Sequence, residues 1–535
     1  MRALLVVLLA TAAVAAQQAV PQITNQDLLN GLKDPTKWLT HAGDYTGQRH
    51  SPLTQIAPGN VHQLTPQWMF QTQRLGSFQS SPLVLDGVIY ATGYDNYAWA
   101  IDARTGKQIW RYRRDFSPDW RGCCGTVNRG FAALGDRLFM ATIDAHVISL
   151  DMKTGTVLWD VTLGDPKLGY SATVAPLVVK DKVIVGVAGA EYGTRSFIDA
   201  YDPQTGKRAW RFYTVPAPGE PGGETWPPGD SYLRGGGSIW VTGTYDPDQN
   251  LLFFGTGNPG PDYFTKAREG DNLYTDSVVA LDADSGKLKW HYQFTPHDLH
   301  DWDSTQVPVL GEIPIDGKPR KVVMFANRNG FYYTLDRVTG KVIVAKPFVE
   351  TNWAKEISPR TGRPVLLPGH VPNESGEKTC PDLGGGTNYF APSFDPTSGL
   401  FFVTARETCA VYYAWDQQYK PGDDYSAGAT IKPPEQKNFG ALRAIDPATA
   451  TVKWEFRYTS VSSSGVLTTA SGLVFAGDGD GNIMAFESKS GKMLWHFQLG
   501  AGLRNTAGTT FMQDGRQILL VPSGSVLMAF ALPKS

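Results

Sequence analysis

Cys123 and Cys124 are adjacent in the run RGCCGTVNRG. A disulfide between neighbours would close a small strained ring, and such strain persists where a functional site enforces it. Two unpaired thiols are the plain alternative. Glu191 follows the small residues Ala188, Gly189 and Ala190, which let a backbone approach a flat ligand closely. Asn258 ends the run Gly255-Thr256-Gly257-Asn258, where a side-chain carbonyl could face a cation. Asp301 and Asp303 lie in PHDLHDWDS, residues 296–304. In an extended segment, residues two apart point to one side, so both carboxylates could reach one ion. Oxygen donors of this kind suit hard cations such as Ca²⁺. Trp240, after a triple glycine, could offer its indole face to a planar ring. Arg129 and Arg328 could each grip a carboxylate with two hydrogen bonds. Taken singly, each residue also has a plain reading as a turn, a polar loop, a packing Trp or a surface ion pair.

A repeat runs along the chain and must position these residues. Its copies include AWAIDARTGKQIWRY (98–112), VISLDMKTGTVLWDV (147–161), VVALDADSGKLKWHY (278–292) and IMAFESKSGKMLWHF (483–497). Two strand-like halves flank an Asp-x-x-Thr-Gly turn, in which Gly takes positive φ and Asp bonds its own backbone. The halves are expected to alternate apolar and polar residues as half-buried strands do. The copy at 331–345 has Val344 where the Trp is expected. Further strand pairs precede most copies, as at 80–92 and 173–187, so two hairpins make a four-stranded blade. Seven copies are countable, and the C-terminal strand 525–533 could pair with early strands to close an eighth blade. The fold predicted is an all-β propeller, whose radial closure leaves few edges. An open β-solenoid is the alternative. Long Gly- and Pro-rich inserts after Phe212 and Lys346 are expected to cover one face as loops or lids.

With a net charge of -2, no global field favours nucleic acid or an anionic membrane. Arg2 followed by the apolar run Ala3–Ala16, broken by Thr11, is expected to be a signal peptide over residues 1–16. Residues 17–535 would then be one exported domain. The four cysteines allow three pairings. There is no Cys-x-x-Cys-His haem-attachment motif.

In this order, the motifs resemble those of the pyrroloquinoline quinone (PQQ)-dependent alcohol dehydrogenases of the methanol and ethanol dehydrogenase family. The resemblance runs from GQRHSPLTQIAPGNVHQLTPQW, residues 47–68, to the last hairpin. It implies an eight-bladed β-propeller of four-stranded antiparallel blades with PQQ on its axis. A Cys123–Cys124 disulfide would cover one face of PQQ and Trp240 the other. Gln79, Arg129, Thr173, Ala188, Gly189, Ala190, Arg328 and Asn388 match positions near the cofactor. Glu191, Asn258 and Asp301 match metal ligands. Asp301 also matches the catalytic base, and Arg328 the basic residue beside the quinone carbonyls. Cys380 and Cys409 would form a second disulfide. The implied reaction is periplasmic oxidation of a small primary alcohol to an aldehyde, with Lewis-acid help from the metal and Asp301 as general base. Electrons would leave to a separate cytochrome c. A homodimer is one assembly the resemblance allows.

Some positions depart from the family pattern. Gln79 stands where calcium methanol dehydrogenases carry Glu. Ser463 and Ser464 replace a Trp-Gly pair expected beside PQQ. His300 and Trp302 replace the usual Trp and Tyr around Asp301, which leaves the substrate's shape open. Asp303, two residues after the base, resembles the lanthanide-using branch. Three carboxylates suit a trivalent ion, so a lanthanide(III) is expected, with Ca²⁺ the alternative; on the plain reading Asp303 points to solvent or to Arg328. The rival functions are a sugar or polyol dehydrogenase and a non-enzymatic scaffold of periplasmic assembly.

Overall fold

The computed structural model describes residues 22–435 and 438–534. The expected signal peptide, residues 1–16, lies outside them. The hairpin turns form as their residues dictate. Asp102 Oδ1 accepts hydrogen bonds from the Arg104 and Thr105 N–H groups at 3.0 and 2.9 Å and from the Thr105 hydroxyl at 2.8 Å. Gly106 then reverses the chain at φ +71°. Asp151, Asp202, Asp282 and Asp336 build the same turn.

The strands form seven four-stranded sheets and one five-stranded sheet, with a two-stranded and a three-stranded sheet beside them. In the sheet of residues 83–113, Leu83–Leu85, Val88–Thr92, Tyr97–Asp102 and Gln108–Arg113 lie side by side in chain order, all antiparallel. The expected alternation holds only for the last strand, which is mostly exposed. Val88–Thr92 and Tyr97–Asp102 are buried almost throughout. Their sheet is covered on both faces, so both side-chain sets must be apolar or satisfied. The C-terminal strand Val526–Ala531 pairs with Thr65–Gln71, as expected, and Met69 stands opposite Met528.

Each repeat's Trp locks its sheet to the next. Trp110 Nε1 donates to the Met152 carbonyl at 3.0 Å, and Trp159 Nε1 to that of Pro203 at 3.0 Å. The indole lies on the turn glycine of the following repeat, where a Cβ on Gly155 would stand 2.8 Å from Trp110. The pairs Trp68–Gly106, Trp159–Gly206, Trp210–Gly286, Trp290–Gly340 and Trp454–Gly491 repeat this contact. Where Val344 replaces Trp, the following turn carries Ala450 instead of Gly, and both join one apolar cluster. Without an indole above it, a Cβ has room. Trp495 packs on Phe530 of the closing sheet, so the sheets follow one another round a closed ring. Gly155→Ala is expected to cost about 1–3 kcal/mol, from positive φ and overpacking. Ala450→Gly should change stability by less than about 1 kcal/mol. Denaturant unfolding of the two variants checks this, and equal losses would contradict the account.

The insert after Phe212 is a loop with short 3₁₀ turns. The insert after Lys346 holds the hairpin Ala354–Ile357/Pro364–Leu366 and the strand Glu377–Thr379. That strand joins Ala410–Ala414 and Gly428–Ile431 in a small separate sheet. The last two strands belong to an insert inside a blade, which the repeat pattern did not reveal. Among the described residues no helix is long and apolar enough to cross a membrane.

Candidate active site

Most of the candidate residues sit in one of two loop classes. Gln79, Arg129, Thr173, Trp240 and Asn388 each lie a few residues before the first strand of a sheet. Glu191, Asn258 and Arg328 lie between second and third strands. In an antiparallel sheet the start of strand one and the end of strand two are at the same edge. Sheets following one another in a ring therefore bring both classes to one end of the axis.

There they enclose a cavity of about 510 Å³. Gln79, Cys123, Cys124, Arg129, Thr173 and Ala188 line it. So do Gly189, Glu191, Trp240, Asp301, Asp303, Arg328 and Asn388. Ala190 and Asn258 do not reach the wall and are buried just behind it. Gly189 is required by its own neighbours: it has φ +118°, and a Cβ would meet the Gly169 carbonyl oxygen at 2.2 Å. Cys123 is bonded to Cys124, and Cys380 to Cys409.

Arg129 is the cation on one wall. It is buried, lies between the rings of Trp240 and Tyr389 at 4.7 and 4.9 Å, and donates to Thr173 Oγ1 at 2.6 Å. Among the described residues no carboxylate pairs with it, and its Nε has no acceptor. Burial lowers its pKa to about 10, so it stays charged at neutral pH. A buried, uncompensated cation is costly and marks a place for an anionic ligand.

On the other wall carboxyls crowd together. Asp303 Oδ2 accepts from Arg328 Nη1 at 2.6 Å and from Trp240 Nε1 at 3.1 Å, while its Oδ1 accepts the Asn258 N–H at 2.9 Å. Asp301 Oδ2 is 3.9 Å from Arg328 Nη2, and its Oδ1 is buried with no donor. Burial, then the Asp303 carboxylate, pushes Glu191 up to about 7. Burial also raises Asp301 well above the carboxylate range, against the pull of Arg328 and with help from Asp262 and Asp303. Burial opposes the Arg328 charge, yet Asp301 and Asp303 outweigh it and hold its pKa above normal. Three acidic side chains thus face one guanidinium. A cation among them would relieve both repulsion and the unfilled acceptor, so the donor set fits a hard metal ion.

The segment 301–303 is not extended, as the sequence reading assumed. Asp301 has φ +55°, and Asp298 caps the turn by accepting the N–H groups of His300 and Trp302 at 3.3 and 3.0 Å. The turn still delivers both carboxylates to the cavity. His300 and Trp302 do not line it. Their rings stack at 4.2 Å, His300 Nε2 lies 2.8 Å from the His370 carbonyl, and Trp302 Nε1 donates to the Asp382 carbonyl at 3.1 Å. They support the turn from below instead of shaping the pocket. Ser463 and Ser464 are also absent from the wall.

The wall includes residues with no local signal in the sequence: Trp120, Asp382, Leu383, Tyr389, Lys432 and Arg504. Asp262, buried behind Asn258, accepts its side-chain Nδ2–H at 2.7 Å and fixes the amide's orientation.

The family described as glucose/ethanol/alcohol dehydrogenase, β-propeller domain, with PQQ as its cofactor, matches residues 38–363 and 435–519. Quinohemoprotein alcohol dehydrogenase ADH IIB of Pseudomonas putida is 40% identical over 510 residues, which cover 91% of this chain and 73% of that protein. The lanthanide-dependent methanol dehydrogenase of Methylacidiphilum fumariolicum is 36% identical, covering 94% of this chain and 86% of its own length. A solved europium-containing methanol dehydrogenase superposes with a TM-score of 0.89 at 32% identity, covering 95% of this chain and 100% of that one. With a propeller closed by Trp–Gly contacts and a cavity set out for an anion and a hard cation, the chain belongs to the PQQ-dependent alcohol dehydrogenases.

Proposed function

We propose that this enzyme oxidises small primary alcohols to aldehydes in the periplasm, using PQQ and one metal ion, and passes electrons to a separate cytochrome c. Residues 17–535 would form a single propeller domain of eight blades behind a cleaved signal peptide. The observation that carries the reading is the pairing, in one cavity, of a buried Arg129 that has no carboxylate partner among the described residues with three carboxyls that share one guanidinium.

Arg129, Thr173, Gln79 and Asn388 would hold the cofactor's polar edges, with Trp240 and the Cys123–Cys124 bridge against its faces. Glu191, Asp301, Asp303 and the Asn258 side chain would hold the metal, a lanthanide(III) in preference to Ca²⁺. When bound, the quinone supplies the hydride acceptor and the metal supplies the Lewis acid that activates it. Asp301 takes the hydroxyl proton at Oδ1, the buried oxygen that has no donor. Arg328 holds the other side of that carboxyl and anchors its own Nη2 on the Leu383 carbonyl at 2.5 Å. Leu383, Trp120 and the disulfide-bearing loop line the same cavity.

The test is reconstitution with PQQ and metal, followed by dye reduction over a panel of alcohols, polyols and sugars. Turnover is expected to be highest with small primary alcohols. A protein that binds PQQ and metal yet oxidises sugars better than any alcohol would overturn the substrate class.

A further inference from the structure

We infer that Arg504 is an additional cofactor-binding residue that holds a carboxylate of the quinone at the end of the cavity remote from Asp301. The inference rests on the PQQ reading above.

Arg504 lines the cavity and lies a few residues before the strand Thr509–Gln513. That is the same place in its sheet that Arg129, Thr173 and Trp240 occupy in theirs. Arg504 is exposed, and among the described residues it makes no hydrogen bond or ion pair through its side chain. Its neighbours explain why it is free. The backbone of Arg504 bridges Ser463, and Asn505 N–H donates to the Ser463 carbonyl at 3.0 Å. Ser464 turns inward, its hydroxyl donating to the Gly465 carbonyl at 2.8 Å and accepting the Gly477 N–H at 2.9 Å. Two small side chains thus stand where the family pattern has a large one, and no ring covers Arg504. Asn505 Nδ2–H donates to the Gln79 carbonyl at 2.5 Å, which ties this segment to Gln79. Gln79 is neutral, so it leaves the Arg504 charge unquenched, whereas a glutamate there could pair with it. The departures at residues 79, 463 and 464 therefore share one consequence, a positive rim.

The ring decides what that rim meets. Arg504 precedes the first strand of the sheet where the two chain ends meet and Gln79 that of the sheet of residues 83–113, whereas Asp301 and Arg328 belong to the middle of the chain. The rim and the acidic cluster therefore lie across the axis from one another. A planar polycarboxylate with its reactive end at Asp301 presents carboxylates towards Arg504. Arg is suited to grip them with two hydrogen bonds.

The test titrates metal-loaded protein free of quinone with PQQ by fluorescence quenching, comparing wild type with Arg504→Gln and Arg504→Lys. Arg504→Gln should weaken PQQ binding by about tenfold, the low end for a charge-assisted bond at an exposed site. Arg504→Lys should recover part of that loss. Because the contact is solvent-exposed, the gap between wild type and Arg504→Gln should shrink at high salt. Melting curves of the quinone-free forms should coincide, since the side chain holds nothing else. Wild-type affinity in Arg504→Gln at low salt would overturn the inference alone. Failure of the wild type itself to bind PQQ would overturn the function on which it rests.

Discussion

Asp301→Ala should lower alcohol-dependent turnover by about a thousandfold or more, the upper range for loss of a general base, with metal and PQQ supplied in excess. The same substitution should leave the fold intact, and the reason lies in what Asp301 does without ligands. One of its carboxyl oxygens has no donor, and its nearest cation is 3.9 Å away at Arg328. Its surroundings instead raise its pKa, first through burial. Removing such a group relieves repulsion from Asp262, Asp303 and Glu191 and breaks no hydrogen bond. The melting temperature of the ligand-free variant should stay close to that of the wild type, because this relief is set against the lost attraction of Arg328 and the strain of Ala at φ +55°. Asp301→Asn keeps the shape and one oxygen donor without the base, so it should bind metal better than Asp301→Ala and turn over no faster. Near-normal kcat in Asp301→Ala with both ligands bound would remove the residue from the mechanism.

What the sequence revealed was local. The Asp-Thr-Gly turn is written in adjacent residues, and the Trp that follows has a fixed offset, so the hairpin and its docking could be read together. The burial of both faces of strands such as Phe331–Asp336, complete but for Asp336, could not, because it depends on a neighbouring sheet covering the second face. The site divides the same way. Arg129 and Trp240, each before a first strand, could be picked out beside short motifs, whereas Tyr389 and Arg504, similarly placed, could not. The contacts of Trp240 with both Asp303 and Arg129 could not, while the pairing of Asp303 with Arg328 was the plain alternative to metal binding. Asp301 and Asp303 converge through a turn capped by Asp298, although their spacing had suggested a strand. The strands Ala410–Ala414 and Gly428–Ile431 lie in an insert within a blade, and so the approach of Lys432 to the cavity had no signal in the sequence.

The Arg328–Asp303 pair changes the argument about which metal the enzyme uses, and sharpens its test. Counting carboxylates alone, Glu191, Asp301 and Asp303 would balance a trivalent ion. Arg328 adds a positive charge that the count omitted, bonded to Asp303 at 2.6 Å. The protein's own charge in the cluster therefore already suits a divalent ion, and net neutrality no longer favours a lanthanide. What separates the ions is whether they can draw Asp303 from Arg328. At equal distance a trivalent ion attracts a carboxylate half as strongly again as a divalent one. A lanthanide can take Asp303 as a further ligand, with the larger coordination number it prefers. Ca²⁺ should leave Asp303 with Arg328 and bind through Glu191, Asp301 and Asn258. La³⁺ should then bind at least about tenfold more tightly than Ca²⁺, a difference of ~1.4 kcal/mol, and support faster dye reduction. Asp303→Ala should erase that advantage while changing Ca²⁺ affinity little, because the lost carboxylate was never a calcium ligand. Calorimetric titration of both ions into PQQ-loaded wild type and variant reads this directly. Equal or tighter Ca²⁺ binding in the wild type, or an undiminished La³⁺ advantage in Asp303→Ala, would show that Asp303 belongs to Arg328 and not to the metal.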